Sequence, residues 1–249
     1  GLGTVARCAA SPPRPMATMS YRFAPRAPAP PVDARPRIAV FGAAGATGQL
    51  AVRHALAAGH RVTAFLAEPA LWAMAHEDLE IVHADPLEPR SLHGVLEGHD
   101  AVLCLVGHKP EAWRERESLR RAVPRAALAT RHVVAAMGDA GVSRLVLMGA
   151  AGVGNSVAAG VLGLGRCLQW LLPEVMADKE RQEALVRGSA LRWTVLRPAR
   201  LSHAPAGSRL HVGENLRWGW RGIPREDLAA LMVRLIDDPS AIGKVLTVA

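Results

Sequence analysis

Hydrophobic positions in this chain gather into short runs, separated by segments where apolar residues recur every three or four places. The runs Arg37–Phe41, Arg61–Leu66, Leu79–His83, Ala101–Val106, Arg144–Met148, Trp193–Arg197 and Lys244–Val248 predict strands. Between them the helical period predicts helices over Thr47–Ala58, Ser91–Leu96, Ala122–Ala140, Asp178–Val186 and Arg225–Leu235. A run such as Ala101-Val102-Leu103-Cys104-Leu105-Val106 has no polar face, so it is buried on both sides. That is the mark of a parallel strand covered by helices above and below. Regular strand–helix alternation predicts an α/β fold: one doubly wound, mostly parallel sheet filling residues 37–249, with a small C-terminal substrate region.

One stretch departs from this rhythm. Ala151-Gly152-Val153-Gly154-Asn155-Ser156 is glycine-rich, and the apolar run Val157–Leu172 follows it, interrupted by Arg166 and Gln169. The run is too short and too interrupted to be read as a transmembrane span. A helix packed on the domain, a pocket wall, a subunit face and a membrane-touching patch all fit the pattern.

The chain has 249 residues, half of them hydrophobic, which is enough for a substantial core. Its formal charge of +8 suggests nucleic acid until the charge is located. Residues 1–37 carry Arg7, Arg14, Arg22, Arg26, Arg35 and Arg37 against Asp33 alone, a net of +5, leaving +3 for the rest. No nucleic-acid partner is therefore expected. Residues 1–36 are rich in Ala, Pro and Arg and poor in large apolar residues, so they are expected to be a disordered tail. Two readings of the tail stand: a transit peptide, which would place the protein in an organelle stroma or matrix, or an upstream extension of a cytoplasmic protein. Cys8, Cys104 and Cys167 are far apart and form neither a disulfide framework nor a C-x-x-C pair. The scattered histidines offer no ligand spacing, so no metal is expected.

The candidate chemistry lies at the end of the first strand. Ile38-Ala39-Val40-Phe41 leads into Gly42-Ala43-Ala44-Gly45-Ala46-Thr47-Gly48, and a helical pattern follows at once. In a Rossmann unit, the first glycine of such a loop makes the tight turn. The second lets backbone approach a pyrophosphate, and the third lets helix pack against strand, with the helix N-terminus facing the anion. Gly42, Ala44, Gly45, Ala46, Thr47 and Gly48 are the candidate cofactor residues there.

Further motifs occur in order along the chain. They are Ala84-Asp85-Pro86 after the third strand, Gly107 after the fourth, Gly141-Val142-Ser143-Arg144-Leu145-Val146, and Asp178-Lys179-Glu180-Arg181-Gln182-Glu183. Then come Trp193-Thr194-Val195-Leu196-Arg197-Pro198 and Ile223-Pro224-Arg225-Glu226-Asp227-Leu228-Ala229. With the glycine loop, this set makes residues 37–249 resemble the atypical short-chain dehydrogenase/reductases, the NmrA-like NAD(P)H-binding family that includes the flavin reductase/biliverdin reductase B type. The resemblance implies an NAD(P) cofactor contacted also by Asp85, Pro86, Gly107, Arg197 and Pro198, and by Ala67 where relatives often carry arginine. Asp85 reads either as an acceptor for the adenine amino group or as a turn residue. Asp227 also reads as a helix-start residue without a binding role.

The chain departs from the pattern of typical dehydrogenases of this superfamily, which use a Tyr-x-x-x-Lys pair to move a proton. Its one tyrosine is Tyr21, and Val175 stands four residues before Lys179. Met148-Gly149-Ala150-Ala151 occupies the place of the usual serine. Lys179 reads as cofactor-facing or, preferably, as half of a surface Lys179–Glu183 pair. Lys179 and His203 are the weak candidates for catalysis. Ala67-Glu68 in place of a phosphate-pairing arginine tilts the expectation toward NAD(H), although Arg90 is an alternative cation for a 2′-phosphate. The expected function is NAD(P)-dependent hydride transfer to a small conjugated acceptor such as a flavin. The alternatives are a non-catalytic NAD(P)-binding redox sensor or assembly factor, and a sugar-nucleotide epimerase, which the short C-terminal region disfavours.

Overall fold

The structure, a computed structural model, describes residues 19–21, 35–107 and 125–249. Its sheet is built from β1 (Met19–Tyr21), β2 (Arg37–Phe41), β3 (Arg61–Leu66), β4 (Leu79–His83), β5 (Ala101–Cys104), β6 (Arg144–Met148), β7 (Arg192–Pro198), β9 (Leu210–Gly213) and β11 (Lys244–Val248). The order across the sheet is β1-β9-β11-β7-β6-β5-β2-β3-β4. From β4 to β11 every neighbour runs parallel, while β9 pairs antiparallel with β11 and β1 antiparallel with β9. Two short strands, β8 (Arg200–Ser202) and β10 (Gly222–Pro224), form a separate parallel pair. The doubly wound single-domain fold expected from the sequence is the fold observed.

The helices are α1 (Ala46–Ala57), α2 (Arg125–Asp139), α3 (Ser156–Ala159), α4 (Leu164–Leu171), α5 (Pro173–Arg187) and α6 (Arg225–Arg234). Alternate residues of each strand serve opposite layers, as the pleat requires. Ile38 and Val40 pack with Val52, Leu56, Leu228 and Met232 of α1 and α6. Ala39 and Phe41 pack with Val133, Met137 and Val186 of α2 and α5. Each layer is thus a helix pair laid on one sheet face, α1 with α6 and α2 with α5.

Three expectations change. The helix expected over Ser91–Leu96 is only a 3-10 turn, Pro89–Leu92, because Gly94 lies in the left-handed region at φ +69° and stops it. The fourth run, expected as strand to Val106, leaves the ladder after Cys104, because its neighbour β2 has already turned away at Gly42. Met19–Tyr21, inside the segment expected to be disordered, forms β1. The rest of that segment lies outside the described residues, as do residues 122–124 of the helix expected from Ala122. The apolar run Val157–Leu172 is not one helix. It breaks at a 3-10 turn containing Leu162, a non-glycine residue at φ +52°, and seats Leu164 and Leu168 on a small core with Trp218. Among the described residues no helix is long and apolar enough to cross a membrane.

Candidate functional site

The sheet order reverses between β2 and β5. The carboxyl ends of those two strands therefore diverge into helices on opposite faces, and a crevice opens between them. Gly42 begins the loop at φ +80°, where a side chain would be strained. A Cβ there would also stand 2.8 Å from the Leu105 carbonyl carbon. Gly48 is stricter: its Cβ would fall 2.1 Å from the Gly42 carbonyl oxygen. Gly45 has an ordinary φ of −70° as the N-cap of α1, and a Cβ there would meet the Gly42 oxygen at 3.3 Å. The three glycines therefore differ. Two are needed for the backbone to close, and the middle one keeps the tip clear. Ala44, Gly45 and Ala46 form that exposed tip, above the buried Thr47 and Gly48. No acidic residue lies in the first turn of α1, so its positive end is unneutralised by its own side chains.

The other residues expected from sequence are delivered to the same carboxyl edge by the parallel strands. Ala67 and Glu68 are exposed after β3, Asp85 and Pro86 are half-buried after β4, and Gly107 is exposed after β5. Asp85 Oδ1 accepts from the Leu87 N–H at 2.9 Å, while Ser91 Oγ ties the same turn together by accepting from Asp85 N at 3.1 Å. The carboxylate thus serves the turn that presents this strand end. His203 is exposed beyond β8.

Lys179 corrects the surface-pair expectation. It is buried on α5, and its Nζ donates to the carbonyls of Val106 and Met148, both at 3.2 Å, and to Gln182 Oε1 at 2.9 Å. The ammonium therefore joins the ends of β5 and β6, and a Cβ on Gly107 would lie 3.7 Å from it. Desolvation lowers its pKa to about 8. Glu183 does not pair with it. That carboxylate is buried against Arg197, which donates through Nε at 2.8 Å and Nη2 at 2.6 Å. Arg197 Nη1 donates to Asn155 Oδ1 as well. Arg197 is thereby committed to linking β7, α5 and the glycine-rich segment after β6, and Pro198 is buried beside it.

The buried face of α5 is thus mostly polar. Asp178 accepts from the N–H groups of Ala126 and Ala127, both at 3.0 Å, capping α2, and Gln182 donates to Thr130 Oγ1 at 2.8 Å. Sequence reading missed this face because Asp-Lys-Glu-Arg-Gln-Glu looks solvated. The signal was the spacing: Val175, Lys179, Gln182 and Val186 share one helical stripe, so the lysine and glutamine lie between two buried valines.

Arg225 is the first residue of α6. Its Nη1 donates to Thr47 Oγ1 at 3.0 Å, bringing a cation to the glycine loop. Asp227 caps not its own helix but the loop before β9, accepting from Gly207 and Ser208 N–H, both at 2.9 Å.

Loop, open tip, unneutralised helix end and nearby arginine together fit a dinucleotide's pyrophosphate. The comparison with protein families agrees: residues 42–239 match the model described as NAD(P)H-binding. The chain belongs to the NAD(P)H-binding family. Its parallel sheet and glycine loop make it a Rossmann-fold member of that family, as its motifs indicated. Solved structures with the same fold include an oxidoreductase, ylbE, from Lactococcus lactis, at 16% identity and TM-score 0.68, covering 85% of this chain and 90% of that one. A short-chain dehydrogenase/reductase from Veillonella parvula, solved in complex with NADP, has 16% identity and TM-score 0.69, covering 86% and 94%. A Rossmann-fold NAD(P)-binding family protein from Shigella flexneri has 20% identity and TM-score 0.65, covering 86% and 93%. At these identities the likeness is one of fold. In this NAD(P)H-binding protein, the crevice between β2 and β5 is accordingly the candidate cofactor site.

Proposed function

We propose that this protein is an NAD(P)H-dependent reductase that passes hydride to a small conjugated acceptor of the flavin type. The reduced nicotinamide supplies the hydride. The glycine loop from Gly42 to Gly48 would hold the pyrophosphate, and Gly107 would let the nicotinamide end pass close to the end of β5. The observation that carries the reading is the state of Lys179. All three of its ammonium donors are taken by Val106, Met148 and Gln182, and the helical position one turn before it is filled by the buried Val175. Lys179 is therefore a positioning residue that fixes two strand ends, and releasing a proton would cost it that arrangement. An acceptor whose reduction needs no strong acid from the protein suits such a site.

The exposed Ala67-Glu68 after β3 supports a preference for NAD(H), since Glu68 can accept from ribose hydroxyls and would repel a 2′-phosphate. Calorimetric titration with both cofactors checks this, and tighter NADPH binding would refute it. The same lack of a placed acid favours a second reading, a sensor that binds the dinucleotide without turning it over. The two separate in one experiment. The protein is mixed with NADH or NADPH and a panel of flavins, quinones and biliverdin, and cofactor oxidation is followed. Turnover of a flavin above background supports the reductase. Measurable cofactor binding with no turnover supports the sensor.

A further inference from the structure

We infer that Arg225 is the cation of the cofactor phosphate site, and that it acts both directly and by setting the direction of the Thr47 hydroxyl; this rests on the NAD(P)H-binding reading of the crevice. Two helix N-termini meet here. Thr47 is the second residue of α1 and Arg225 the first of α6, and the arginine side chain spans the gap to reach Thr47 Oγ1 at 3.0 Å. α6 carries Glu226 and Asp227 in its own first turn, but the N-terminus of α1 has no acid there, and its partial positive charge repels the guanidinium. The acids that would neutralise it are used elsewhere: Glu226 pairs with His54 at 2.8 Å, and Asp227 holds the Gly207–Ser208 loop. Among the described residues no carboxylate pairs with Arg225, and its Nε is buried without a partner. Desolvation accordingly lowers its pKa. A half-buried cation with no carboxylate paired to it, facing the unneutralised N-terminus of α1, is a poor arrangement for an empty site and a good one for a doubly charged pyrophosphate.

The hydrogen bond itself has a direction that matters. Arginine can only donate, so Thr47 Oγ1 accepts and its own proton remains free. Among the described residues that proton finds no acceptor, and it is available for a phosphate oxygen at the loop.

The test is titration calorimetry on the full chain with NADH and with ADP-ribose, which keeps the pyrophosphate and lacks the nicotinamide. R225M is expected to weaken both ligands alike, by about tenfold or more, and to flatten the fall of affinity with salt. T47V should lose affinity while T47S keeps it. The R225M/T47V double variant should lose less than the product of the two single losses, because part of the arginine's effect passes through the hydroxyl. Unchanged affinity in a folded R225M, checked by circular dichroism and melting, would overturn the inference. Should R225M not fold, R225K is read instead. Its ammonium lacks the planar fork that donates side by side to hydroxyl and phosphate, so a loss of about threefold or more is expected, and wild-type affinity would overturn the inference. If the wild-type chain binds neither NADH, NADPH nor ADP-ribose, the cofactor reading falls. If it binds them and the Arg225 variants bind equally well, only the role of Arg225 falls.

Discussion

Single residues here have roles that their types do not announce. The three loop glycines look equivalent in sequence, yet the backbone separates them. A methyl at Gly48 would overlap the Gly42 oxygen at 2.1 Å, whereas one at Gly45 would only crowd it at 3.3 Å. G48A should therefore reshape the loop and destabilise the fold by several kcal/mol, about the cost of an overpacked core or more. G45A should stay folded and lose mainly cofactor affinity. G45D adds a negative charge against the phosphate and should abolish binding. Thermal melts and NADH titration of the three variants give that pattern or refute it. Arg197 offers a second prediction. With 1% exposure and its donors on Glu183 and Asn155, it is a buried half of an ion pair. R197M strands the Glu183 carboxylate and should cost about 3–5 kcal/mol in urea unfolding, while R197M/E183L, which removes both charges, should cost clearly less. Equal losses in the two variants would mean that packing, not the stranded charge, sets the cost.

At the level of elements, the strands were the most legible part of the fold. Arg37–Phe41, Arg61–Leu66, Arg144–Met148 and Lys244–Val248 match the observed strands residue for residue, because burial leaves a nearly uninterrupted apolar signal, and the largely exposed edge strand Leu79–His83 matches as well. The three-residue strands β8 and β10 carry no such signal, since they form by pairing with partners 22 residues away in sequence. The positions of Ala67, Asp85 and Gly107 on one edge follow from the parallel topology and were readable. The work done by α5 was not. Its partners Arg197, Met148, Ala126 and Thr130 come from other elements, and nothing local to Asp178–Glu183 names them. That buried face has a measurable consequence. Burial lowers the Lys179 pKa from 10.5 to about 8, so between these values the unfolded chain binds more protons than the folded one. Stability therefore rises with pH across that window, and below pH 8 the buried ammonium costs on the order of 3 kcal/mol. Cys104, whose pKa is raised by burial above its ordinary 9.0, acts in the opposite direction at the alkaline end. The comparison is thus wild type against K179M, which keeps Cys104. From pH 7.5 to 10.5 the wild-type unfolding free energy should gain on that of K179M, and a constant difference between them would show that Lys179 does not titrate there.

Across the whole molecule, the sheet consists of two wings that meet at the β2–β5 pair, with β3 and β4 on one side and β6, β7 and β11 on the other. Each wing contributes its own residues to the crevice: Gly42–Gly48, Ala67 and Asp85 from one, Gly107 and the ends held by Lys179 from the other. A dinucleotide lying across the switch point would tie the wings together, whereas a ligand held only by its adenosine end would engage one wing alone. Because a ligand that binds only the folded state stabilises it by mass action, NADH at about 100 times its Kd should add roughly 2.7 kcal/mol, or a melting-temperature rise of about 5–10 °C for a domain of this size. Hydrogen exchange then says where that stability is placed. Full-length binding predicts slower exchange at the amides of Gly45–Gly48 and also at Leu105–Gly107, with ADP-ribose protecting the first group more strongly than the second. If NADH and ADP-ribose protect the same amides to the same degree, the nicotinamide does not reach the β5 end. Lys179 and Gly107 would then have no part in hydride transfer, although the phosphate loop would keep its role.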